Sequence, residues 1–261
     1  MRMSKLSVGA AVVVATVSFA GGALAQEGEA GASADVGMTL PGGAPKAKAT
    51  EGETDHDQMV GRFAVGYLGA RTVPILPNPF DPASLNAHQA PVIGLRYWLD
   101  QGLGLDAGIG FLSTSGSRKQ GNNSTDKSGV NAFLLHAGVP LALANHKHMS
   151  FQLVPEANIG FAQQTVKDAQ ATNDELKLNG LLVEVGVRIG AELHFGFIGV
   201  PELSLQGSVG AYFQNVSRTA EYTPPSGAST SYEDKNTVIT TSVYDNPWNI
   251  FTSNVAALYY F

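Results

Sequence analysis

Apolar and polar residues alternate along most of this chain, most strictly over Leu181–Phe195. That stretch reads Leu-Leu-Val-Glu-Val-Gly-Val-Arg-Ile-Gly-Ala-Glu-Leu-His-Phe. Every odd position is apolar, and after Leu182 every even position is charged, glycine or histidine. A period of two predicts a β-strand with two unlike faces. The strand exceeds both the ~5–6 residues common in soluble sheets and the ~9–11 that cross a bilayer on a tilt. Glu184, Arg188, Glu192 and His194 share the polar face, too many ionisable groups for the buried side of an ordinary sandwich. The opposite face has no charge and suits lipid, with the polar face turned into a barrel.

The same alternation recurs over Gly61–Arg71, Pro91–Leu99, Leu103–Ser113, Val130–Leu143, Phe151–Phe161, Leu203–Phe213 and Trp248–Phe261. Pro155 falls within one of these runs and predicts a bulge, since proline removes a ladder donor. Short turns are expected near residues 101, 146 and 198, and long polar loops near 82, 121, 172 and 232. Strands joined alternately by short and long connections predict an all-β, eight-stranded antiparallel up-and-down transmembrane β-barrel. Asn236–Tyr244 raises the count to ten if it belongs to a further spanning hairpin. Phe151 and Phe161, like Phe251 and Phe261, stand ten residues apart and fit two aromatic girdles about 25 Å apart.

Composition agrees with a barrel. Mean hydropathy is +0.01 because the two faces cancel. The chain has no cysteine, so disulfides and thiolate metal sites are excluded. A net charge of −6 gives no support to nucleic-acid binding. Residues 1–25 have the form of a signal peptide: Arg2 and Lys5, an apolar run, and Ala23-Leu24-Ala25 before Gln26. Residues 26–59 are acidic, with few large apolar side chains, and predict a disordered periplasmic tail ahead of a barrel over 60–261. His56, between Asp55 and Asp57, reads as part of a solvated charge run rather than a metal site.

The last residues, Val255-Ala-Ala-Leu-Tyr-Tyr-Phe261, place Val255, Ala257, Tyr259 and Phe261 on one face. This ending resembles the terminal strand of bacterial outer-membrane β-barrel proteins. In size the chain is similar to the small eight-stranded OmpA- and OmpX-like barrels of Gram-negative cells. The resemblance implies outer-membrane localisation and recognition of those four residues by the barrel assembly machinery. Outer-membrane lipid and lipopolysaccharide are the expected surroundings. The expected form is a monomer without cofactor or metal.

By alternation the lumen receives Arg62, Arg96, Asp106, His136, Glu156, Glu184, Arg188, Glu192 and His194. An eight-stranded barrel has little more room inside than its own side chains fill, and opposite charges confined there should pair. The reading this favours is a filled, closed lumen with a structural or surface-interaction role carried by the loops. The alternative is a narrow pore whose inward glycines leave room for ions or small solutes. No enzyme is expected. His136 and His194 point inward, Ser113 and Ser253 outward, and no G-x-S-x-G motif is present. Loop 115–128, with Arg118, Lys119 and Lys127, is a candidate for contact with anionic lipopolysaccharide.

Overall fold

The computed structural model describes residues 52–77, 87–121, 123–167, 175–224, 226–244 and 246–261. The predicted signal peptide and residues 26–51 of the predicted tail lie outside the described residues.

After a short helix α1 (Asp55–Met59) come β1 (Phe63–Pro74), β2 (Ala87–Trp98), β3 (Gly104–Gln120) and β4 (Asn123–Gly138). They are followed by β5 (Leu141–His146), β6 (Met149–Lys167), β7 (Glu175–Phe195), β8 (Val200–Thr223), β9 (Thr230–Thr241) and β10 (Val255–Tyr260). Neighbouring strands pair antiparallel in the order β1-β2-β3-β4-β6-β7-β8-β10, and β10 returns to β1, which closes a ring of eight. The remaining two strands extend this ring. β5 pairs with the lower half of β6, while β4 pairs with its upper half. β9 pairs with the upper half of β8, while β10 pairs with its lower half.

Several expectations are corrected. The predicted strand Val130–Leu143 is interrupted at Val139-Pro140, where proline cannot donate to the ladder. Pro155 sits in unbroken register opposite Val187, so no bulge forms there. The 115–128 segment is no loop: β3 and β4 continue as a paired hairpin as far as Gln120 and Asn123. Most of the predicted loop 217–247 is likewise strand, with Tyr222 paired to Thr230 and Ala211 to Thr241. Uncharged polar residues such as Ser, Thr and Asn mask these strands, because above the apolar band nothing selects greasy outward positions.

The predicted strand Trp248–Phe261 shrinks to β10. Asn246 caps a 3₁₀ turn over Pro247–Ile250, accepting from the Trp248 amide at 3.0 Å. Proline at the first position of that turn forfeits no bond there. Phe251 therefore lies outside any strand, and the ten-residue strand spacing to Phe261 does not hold.

The tail boundary also moves. Thr54 and Asp57 form a reciprocal capping box that starts α1, and this short helix packs under the short-turn end of the ring. The Asp55 amide donates to Lys147 O at 2.9 Å. The Asp55 carboxylate bonds His148 Nδ1 at 2.7 Å and accepts from the Gly196 amide at 3.2 Å. His56 and Met59 are buried, so this segment is not a solvated charge run. The apolar partner is Trp98, whose ring meets the His56 ring edge-on at 4.4 Å between centroids.

Candidate functional site: a charged interior behind an apolar wall

Alternation decides which side chains enter the ring. Even positions of β2, β3, β6, β7 and the lower part of β8 turn inward, and their odd neighbours turn out. β1 begins with the same parity but changes it at a bulge between Tyr67 and Ala70. Gly69 holds φ +103° there, a conformation that side chains resist, and a Cβ would also press on Ser253 O at 2.6 Å. The extra residue turns Arg71, Val73 and Ile75 toward the interior.

From the short-turn end upward, the interior begins with Trp98 Nε1 donating to the Tyr260 hydroxyl at 3.1 Å. Tyr260 donates to Glu192 Oε1 at 2.9 Å, and Ser204 donates to the same oxygen at 2.6 Å. Arg96 donates from Nη1 to Glu192 Oε2 at 2.8 Å and grips Asp106 with two parallel bonds of 2.7 and 2.8 Å. Such a fork is the strongest geometry a guanidinium and a carboxylate can adopt. Arg188 reaches Asp106 at 3.5 Å and Glu156 at 2.6 Å. Glu156 also accepts from Arg71 and, at 2.9 Å, from the Tyr212 hydroxyl. Arg71 Nε lies 3.2 Å from Glu184, which accepts from Asn158 at 2.8 Å and Gln214 at 2.6 Å. Asn158 Oδ1 bonds His136 Nδ1 at 2.8 Å.

Arg96, Asp106, His136, Glu156, Glu184, Arg188 and Glu192 are thus brought into one continuous buried network. His194 also points inward, bonded to Pro201 O at 3.2 Å, and its ring lies 6.3 Å from that of His56. Arg62 does not join them: it precedes β1, stays partly exposed and enters none of these ion pairs. Arg71, which simple alternation does not place inside, supplies a cation to the network instead. The Gly69 bulge is the signal that would have found it. Gln152, Asn158, Gln206, Tyr212 and Tyr260 are further network members on inward parities already visible in the sequence. Among the described residues, Arg71, Arg96 and Arg188 face Asp106, Glu156, Glu184 and Glu192. Buried charges at this density persist only when paired and hydrogen-bonded.

Several inward glycines are overlain by neighbouring side chains. A Cβ at Gly186 or Gly210 would strike the Tyr212 ring, one at Gly104 would strike Trp98, and one at Gly94 or Gly108 would meet Leu68. Each glycine is the space into which a neighbour's larger side chain has packed.

Outside the ring the chemistry is opposite. Ile93, Ile109, Phe111, Val185, Ile189 and Phe213 are each more than half exposed on the outward face. Val255, Ala257, Tyr259 and Phe261 also fall on that side, with Tyr259 50 % and Phe261 66 % exposed. Across β3, β4, β6 and β7 the apolar wall ends at one level, while on β8 it ends earlier, at Phe213, with Asn215 and Ser217 beside Val183 and Leu181. Phe111, Phe133, Phe161 and Leu181 lie in one register row, and Ser113, Asn131, Gln163 and Asn179 lie in the next. Ser113 donates to Asn131 at 2.7 Å, and Gln89 donates to Ser253 at 2.8 Å, whereas His136 and His194 face the interior.

No family model matches the chain, and no curated protein resembles it in sequence. Among solved structures, it is similar to a major outer membrane protein from Thermus thermophilus. The TM-score is 0.41 at 14% identity, over 77% of this chain and 98% of that one. It also matches OpdQ of Pseudomonas aeruginosa with a TM-score of 0.13 at 9% identity, over 74% and 77% of the two chains.

Proposed function

We propose that this chain is an outer-membrane β-barrel whose lumen is filled and closed by its own side chains. It serves as a rigid support for the strands and connections at its long-loop end. One observation carries the reading: over the same rows of the ring, the outward face is uncharged and apolar while the inward face is a paired charge network. In water this places greasy surface outside and charge inside; in a bilayer both faces are matched. The Arg96–Asp106–Arg188–Glu156–Arg71 chain spans the interior and leaves its charges engaged with one another rather than with a passing solute.

In this reading the short-turn end, with α1 and the N-terminal tail, faces the periplasm. The long-loop end faces the cell exterior. Val255, Ala257, Tyr259 and Phe261 are the residues offered to the assembly machinery, and lipid and lipopolysaccharide surround the wall. The barrel acts as a monomer, and its role is recognition rather than catalysis.

The test is conductance of the full-length chain reconstituted in a planar bilayer. A closed barrel inserts and stays silent. Stable, discrete current steps whose ion preference changes in Glu184→Gln and Arg188→Gln would establish a narrow pore instead.

A further inference from the structure

The row where the apolar wall ends is also where the outer surface forms a groove. A cavity of about 500 Å³ opens across β3, β4, β6, β7 and β8, with Phe111, Phe133 and Phe161 along one wall and Asn131, Gln163 and Asn179 along the other. The two walls are adjacent register rows: on β3, β4, β6 and β7 one is the last apolar row and the other the first polar row, while on β8 both are polar, with Ser217 beside Leu181 and Thr219 beside Asn179. Among the described residues no charged side chain lines the groove; Lys177, paired with Thr165 and Glu221, begins the next polar row outward on β7.

We infer that this groove binds the uncharged sugar headgroup of a glycolipid in the outer leaflet. The inference rests on the outer-membrane reading above and adds a ligand class to it. An amphiphile held at this height presents acyl chain to the phenylalanine row and headgroup to the amide row. Carboxamides both donate and accept, which matches hydroxyls that do the same. A phosphate would require the guanidinium or ammonium partners that the groove lacks. Apolar contact alone would not distinguish this groove from the rest of the wall, so the amides carry the selectivity.

The experiment uses the full-length chain in vesicles of phosphatidylethanolamine and phosphatidylglycerol containing a monoglucosyl diacylglycerol. Flotation is measured first, and native mass spectrometry then identifies the lipids retained on the protein. The expected result is a floating protein that retains the glucosyl lipid in excess over its share of the bilayer. In Asn131→Leu/Gln163→Leu, which preserves the exposed outward positions, that excess falls about tenfold, the scale of two hydrogen bonds. The single variant Gln163→Leu gives a smaller fall and serves if the double variant does not fold. Retention in bilayer proportion, preference for phosphatidylglycerol, or an excess unchanged in the folded variant would overturn the inference while leaving the barrel intact. A protein that fails to float would overturn both.

Discussion

Strand β7 is built two ways along its length. Between Leu193 and Leu181 its outward residues are Leu, Ala, Ile, Val, Val, Val and Leu, and its inward residues include Glu192, Arg188 and Glu184. Between Asn179 and Glu175 the outward residues are Asn, Lys and Glu, and the inward residues are Leu178 and Leu176. Neighbouring strands change over close to this level: Val130 and Ala132 of β4, and Ala162 and Val166 of β6, are buried on the inward side like Leu176 and Leu178 of β7, and the row of Leu134 and Leu182 just below is already apolar inside. The upper region is therefore arranged as in a water-soluble protein, and the lower region is its inverse. The paired backbone continues through both; on the outer-membrane reading proposed above, what changes is the medium outside. Where lipid is the solvent, hydrophobic burial between side chains supplies little, and paired polar groups specify the interior. Where water is the solvent, apolar packing resumes.

The two regions should respond differently to the same kinds of substitution. The largest effect is expected inside the lower region. Arg96→Met leaves Asp106 and Glu192 buried without their main partner and should cost about 3–5 kcal/mol, read from urea unfolding in lipid vesicles. Next comes the wall: Val185→Arg puts a charge in mid-band and should cost about 2–4 kcal/mol in the same assay. In the upper core, Val216→Ala removes apolar contact and should cost about 1–2 kcal/mol. A charge placed above the boundary, Asn179→Lys, should shift stability by less than about 0.5 kcal/mol. If Val185→Arg and Asn179→Lys cost the same, the boundary is misplaced.

The smallest effect is at α1. Burial lowers the His56 pKa below its usual 6.5, helped by neighbouring His194 and opposed by the hydrogen bond to Gln101 O, Glu192 and Asp57. His56 Nε2 bonds Gln101 O at 3.0 Å, and buried Nδ1 has no hydrogen-bond partner. Protonation is then easier once the helix is released, so docking is fully present above pH 6.5 and weakens as pH falls toward the depressed value. Amide exchange of residues 54–60 should accelerate between pH 7 and 5. The acceleration should disappear in His56→Asn, while His148→Gln, which removes one of the two partners of the Asp55 carboxylate, should loosen α1 at both pH values.

How much of this was legible depended on which solvent selected the residues. In the lower wall, odd positions are apolar and even ones largely polar, as the proposed lipid contact would require, so strand, face and most network members could be read directly. Above the boundary, residues such as Ser113, Asn131 and Asn215 satisfy water in strand or loop alike, and the paired extensions of β3, β4, β8 and β9 read as loops. Arg71 was hidden by a one-residue bulge, since counting by twos cannot register an inserted residue. His56 and Asp55 looked like solvated charges because their partners, Trp98, Gln101, His148 and Gly196, lie far away in sequence. Gly104 and Gly186 suggested space because a sequence does not tell which neighbour's ring lies over them.

The absence of native cysteine permits a direct test of the inversion. Single cysteines placed one at a time through residues 175–195 of the full-length chain in vesicles can be spin-labelled and measured for collision with lipid-soluble oxygen and with a water-soluble nickel chelate. An inverted lower region predicts high oxygen collision at odd positions 181–193, high nickel collision at 175, 177 and 179, and protection from both at even positions throughout. Strong nickel collision at 183, 185, 187 and 189 would contradict it.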